Sequence, residues 1–184
     1  MADRRNMTTR DMVVCMAVLV GALLFVVGAY GGFSFAPGGA KDAPPPATDV
    51  TTGFTRAGPA LNIPVVVPKR IPSDWEANSF LLKTPENYGK DVVPLVRGGW
   101  LTGSGNYITV IQSGASPADV LGQEIGNGLN STVSITEAGV NWEVYPGVRN
   151  EVAWVRQANG VTFVITGSAA EPDFVALAVA VTTI

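Results

Sequence analysis

The stretch EVAWVRQANGVTFVITG, residues 151–167, decides how the C-terminal two thirds of the chain is read. Its apolar residues are rich in Val, Ile, Trp and Phe, and they fall on both sides of Asn159-Gly160. That dipeptide tolerates the positive φ angles of a type I′ turn and is a strong short-range hairpin signal. Two antiparallel strands, Val152–Gln157 and Val161–Thr166, follow from it. Upstream, Gly103-Ser104-Gly105-Asn106 plays the same part between strands expected at Leu95–Thr102 and Tyr107–Gln112. Further strands are expected at Val65–Val67, Trp75–Lys83, Thr132–Ile135 and Asn141–Tyr145.

Two helices join them. Ser116-Pro117-Ala118-Asp119 supplies an N-cap, a proline at the first helical position and an acid near the positive end of the helix dipole. Ala118, Leu121 and Ile125 then share a face, and Gly126 closes the helix. A second helix is expected over Pro172–Val181, with Phe174, Leu177, Ala178 and Val181 as its apolar stripe. WLTGSGNYITVIQSGASPADVL also lies over WVRQANGVTFVITGSAAEPDFV, matching Trp100 with Trp154, Val110 with Val164 and Ile111 with Ile165. This suggests two pseudo-repeated halves, although any two strand-turn-strand-helix units share such a pattern. The expected class is α+β: an antiparallel sheet with about two helices on one face, filling a domain from residue 63 to 184.

Working outward, residues 31–62 are rich in Gly, Pro, Ala and Thr and read as an extracytoplasmic linker. Before it, Met12 to Tyr30 is a run of 19 residues without charge. A helix of that length spans roughly the ~30 Å apolar core of a bilayer. Arg4, Arg5 and Arg10 precede the run and no basic residue follows until Lys41, which places the 1–11 head in the cytoplasm and the domain outside. Ala29-Tyr30-Gly31 and Ser34-Phe35-Ala36 offer small-x-small cleavage sites. The run is nevertheless longer than the usual ~7–15 residues of a signal h-region, and Pro37 follows the second site. A retained single-pass anchor in the plasma membrane is the preferred reading. Cys15, the one cysteine, sits too early in the run for a lipoprotein leader and is read as one of its apolar residues.

The chemical inventory is short. No histidine occurs, which removes Ser-His-Asp and Cys-His catalysis and ordinary zinc sites. Net charge is −3 with scattered basic residues, so nucleic acid is not an expected partner. Glu76 and Glu143 each follow a tryptophan and raise a paired-carboxylate, glycosidase-like reading, against which stands the solvated face of a strand. Asp119, Glu171 and Asp173 are explained by helix starts. Gly103-Ser104-Gly105 precedes a strand and lacks the P-loop pattern. Asn130-Ser131-Thr132 fits a glycosylation acceptor. Trp75, Trp100, Trp142 and Trp154 are the candidate ligand or partner surface, set against their usual role as core. Lys69-Arg70 is a solvated turn or a contact for anionic headgroups. No catalytic, cofactor or metal residue is assigned.

Several motifs carry a resemblance. Arg10-Asp11-Met12 stands before the apolar run, and Val67-Pro68 through Ile71-Pro72 and Trp75 opens the domain. Gly105, Tyr107, Gln112 and Ser113 lie mid-domain, and Trp154, Arg156, Gly160, Thr162, Val164, Thr166, Gly167 and Ala169 lie late in it. With these the chain resembles, nearly end to end, an actinobacterial membrane-anchored family catalogued as domain of unknown function 4245. The resemblance implies an envelope-facing single-span protein and brings no activity, cofactor or catalytic residue. Three functions are expected from the sequence. The first is a non-enzymatic domain binding a membrane or envelope protein as an accessory subunit. The second is an envelope lipid- or glycan-binding sensor, and the third a His-free carboxylate hydrolase.

Overall fold

A computed structural model describes residues 9–29, 49–147 and 151–182. The chain divides into two compact units, Met1–Pro44 and Pro45–Ile184. In the first, α1 runs Thr9–Ala29. In the second, the elements are α2 (Val50–Leu61), β1 (Glu76–Lys83), α3 (Pro85–Tyr88), β2 (Leu95–Leu101), β3 (Tyr107–Ser113) and α4 (Pro117–Glu124). They continue with β4 (Val133–Glu137), β5 (Val140–Pro146), β6 (Val152–Ala158), β7 (Val161–Gly167) and α5 (Glu171–Thr182).

The strands form one seven-stranded antiparallel sheet in the order β1-β2-β3-β7-β6-β5-β4. The expected hairpin turn closes β6 onto β7, with Asn159 at φ 51° and Gly160 at φ 75°. Ala138-Gly139, at φ 54° and 75°, makes a similar turn between β4 and β5. The longer β2–β3 loop is tied by Thr102 N–H to the Asn106 carbonyl at 2.8 Å.

Central strands β3 and β7 are buried on both faces, and both faces need cover. Alternate residues of the sheet enter two cores. Val96, Val110, Trp154 and Ile165 face α2 and α5, whereas Leu95, Ile111, Val155 and Val164 face Val120 and Leu121 of α4. The expectation of helices on one face is therefore corrected to helices on both. The same alternation corrects the repeat. Val110 and Val164, aligned in sequence, lie on opposite faces, as do Ile111 and Ile165. The unequal turns explain this: Trp100 opposes Ile108 in one hairpin, but Trp154 opposes Ile165 in the other. An odd shift in register exchanges the faces of a strand.

Two more expectations change. The linker to residue 62 ends sooner, because α2 occupies Val50–Leu61 and buries Val50, Phe54 and Ala57 in the main core. Glycine makes that docking possible: a Cβ on Gly98 would collide with Phe54 and Val50, and one on Gly53 would collide with the Phe80 ring. The expected strand at Val65–Val67 is an extended segment outside the ladder. Pro64, Pro68 and Pro72 break its supply of donors.

In the first unit, α1 covers Met12–Ala29 of the expected span, and Met12–Leu23 have exposed side chains. Among the described residues no helix is long and apolar enough to cross a membrane. The transmembrane assignment is thus not part of the observed fold.

Candidate functional site

The extended segment after α2 forms one wall of a groove. Its backbone bonds go to a side chain instead of a strand. Gln112 on β3, completely buried, accepts from Val66 N–H at 2.8 Å and donates to the Val66 carbonyl at 2.7 Å. Its amide thus stands in for a neighbouring peptide group. Further along, Lys69 N–H donates to the Ala180 carbonyl of α5 at 3.0 Å. Arg70, at φ 58°, then turns the chain away.

The opposite wall is the β6–β7 hairpin and the end of α5, with Ala158 and Asn159 at the surface and Val161, Phe163 and Val181 buried in it. The groove measures about 380 Å³ and is open to solvent. Among the described residues that line it, Arg156 and Lys69 carry charge and none is a carboxylate. Arg156 occupies the face of β6 shared with Trp154, a register that otherwise points into the core. Its guanidinium lies 5.8 Å from the Trp142 ring centre and 5.6 Å from that of Phe163, within cation–π range. Nη1 donates to Thr182 Oγ1 at 2.9 Å. Among the described residues it makes no salt bridge. Burial draws its pKa below the ordinary arginine value, since desolvation disfavours the charged form.

The other candidates are structural. Trp75, Trp100, Trp142 and Trp154 are 9%, 5%, 0% and 4% exposed, so none offers a solvent-facing platform and the proposed tryptophan surface is corrected to core. Trp154 borders a second hollow of about 250 Å³ with Val144, Phe174 and Glu171, separate from the Arg156 groove. Glu76 and Glu143 sit on β1 and β5, five strand steps apart in the sheet. At ~4.8 Å per step this is about 24 Å, far beyond the ~5–9.5 Å that paired-carboxylate hydrolysis uses.

A further ionic cluster escaped the sequence reading. Glu124 of α4, its side chain 5% exposed, takes Lys83 Nζ at 2.6 Å and Arg97 Nη1 at 2.9 Å. With both oxygens engaged by cations from β1 and β2, this carboxylate ties α4 to the sheet. Among the described residues no group of acids or cysteines is placed to hold a metal.

The family model described as protein of unknown function (DUF4245) matches residues 4–181, and the chain belongs to that family. No curated protein and no solved structure matches it.

Proposed function

For this member of a family without an assigned activity, we propose a non-enzymatic, membrane-tethered binding module. Met12–Tyr30 anchors it, the head lies in the cytoplasm, and the C-terminal domain works on the extracytoplasmic side of the plasma membrane. The groove around Arg156 is the observation that carries the binding assignment. It combines an apolar lining, two cations and a wall held by Gln112. Its size falls at the small end of ligand pockets, which run from ~300 to 1,000 Å³. The anchor rests on the uncharged run and the arginines before it, Arg4, Arg5 and Arg10.

Hydrogen exchange of the full chain, with and without a total extract of its own membrane, tests the binding role. Protection of the amides of Val65–Val67 and Lys69 and of 156–163 is expected; protection elsewhere or nowhere contradicts it. For the anchor, the chain should remain in the pellet after an alkaline carbonate wash. Release into the wash would refute the tether.

A second reading, an accessory subunit of a membrane or envelope complex, draws on the edge strand β4. It ends the sheet, and Val133 on it is 52% exposed. Edges of this kind pair with added strands. Crosslinks from Lys41, Lys69, Lys83 or Lys90 to one stoichiometric membrane protein would favour it.

A further inference from the structure

We propose that the groove takes a single-chain anionic amphiphile, its carboxylate or phosphate headgroup on Arg156 and Lys69 and its chain along Val65, Val67 and Ala158. This deepens the binding-module reading and rests on it. Three observations point the same way. Arg156 sits half-buried against two aromatic rings with a hydroxyl as its hydrogen-bond partner and, among the described residues, no carboxylate beside it. A guanidinium carries five donors, and one of them is used by Thr182. The cost of desolvating this cation is offset when an anion joins it, and a planar fork suits a carboxylate or phosphate.

The remaining lining argues against a bare anion. Pro64, Val65, Val67 and Ala158 present apolar surface that a small ion would leave wet. A neutral lipid would cover those walls and leave Arg156 without a counter-charge. The volume of about 380 Å³ suits one chain better than two. Lys69 stands on the wall pinned to Ala180, so its backbone is fixed where it lines the groove with Arg156.

The test is calorimetric titration of the full chain in zwitterionic nanodiscs, with empty discs as the blank. Decanoate and decyl phosphate should bind at least about ten-fold more tightly than decanol or decyltrimethylammonium, the effect of one charge-assisted contact. Arg156→Gln should abolish that preference, Lys69→Gln should weaken it, and Ala158→Trp, which fills the groove, should weaken every ligand. Equal binding of decanol and decanoate would overturn the proposal, as would inorganic phosphate matching decyl phosphate. Should Arg156→Gln not fold, the four-ligand comparison on the native chain together with Lys69→Gln decides. If membrane extract protects the amides of Val65–Val67 and Lys69 but no anionic amphiphile binds, this inference falls and the binding module stands. If neither occurs, both fall.

Discussion

At the scale of single residues, Gln112 and Arg156 define the groove by opposite means. Gln112 is a polar side chain whose needs are met inside the protein, and its role is to hold Val66. Replacing it by leucine leaves the Val66 N–H and carbonyl without partners, at about 1–3 kcal/mol for each group that water does not reach. Gln112→Leu should therefore lower unfolding stability by about 2 kcal/mol and speed exchange at the Val65–Val67 amides, measured by urea unfolding and hydrogen exchange. An unchanged midpoint would mean that the segment is held by packing alone. Arg156 was legible in part: with period two along β6, an arginine in line with Trp154 occupies a core register. Gln112 carried no such signal, because its partner lies 46 positions away in sequence.

At the scale of elements, turn chemistry made the β6–β7 hairpin readable, since Asn159-Gly160 specifies its own conformation. Segment 65–67 misled for the complementary reason. Three valines look like a strand, but the flanking prolines send its bonds to a side chain. Helix α2 was hidden by composition. Gly53 reads as flexibility, yet it permits close approach to Phe80, and Gly98 on β2 likewise receives Phe54. Phe54, 1% exposed and edge-to-face with Phe80 at 6.0 Å, should cost about 3–5 kcal/mol on truncation to alanine, read by chemical unfolding. A surface-like loss below 0.5 kcal/mol would return α2 to the linker.

The start of α2 also has a pH signature. Hydrogen bonding with Thr52, side chain and then backbone, holds the Asp49 carboxyl below its ordinary value; desolvation opposes this, and Arg56 adds a smaller pull. A depressed acid favours the folded state above its unfolded pKa, and that contribution is lost as pH falls through the folded value. The Thr52 amide resonance should accordingly shift in acid, below a pH of about 4, and Asp49→Asn should remove the transition.

For the whole molecule, the sheet and its two-sided cover make the unit from Pro45 onward self-sufficient, with α2 as part of its core. A chain beginning at Pro45 should unfold in one cooperative transition, while one beginning at Ile63 should lose it, followed by circular dichroism against temperature. Equal behaviour of the two would contradict α2's place in the domain. The α+β class was readable because most of its strands announce themselves locally. The placement of helices on both faces was not, since it depends on register across the sheet. Of the site, the charges were visible and the groove was not, because its walls come from three separated parts of the chain.

The most direct test of the binding account is native mass spectrometry of the full chain, released gently from its own membrane. The account predicts one anionic amphiphile per chain, retained in the native protein and missing from Ala158→Trp. A chain that emerges bare, or bound in fixed ratio to a protein instead, would contradict it.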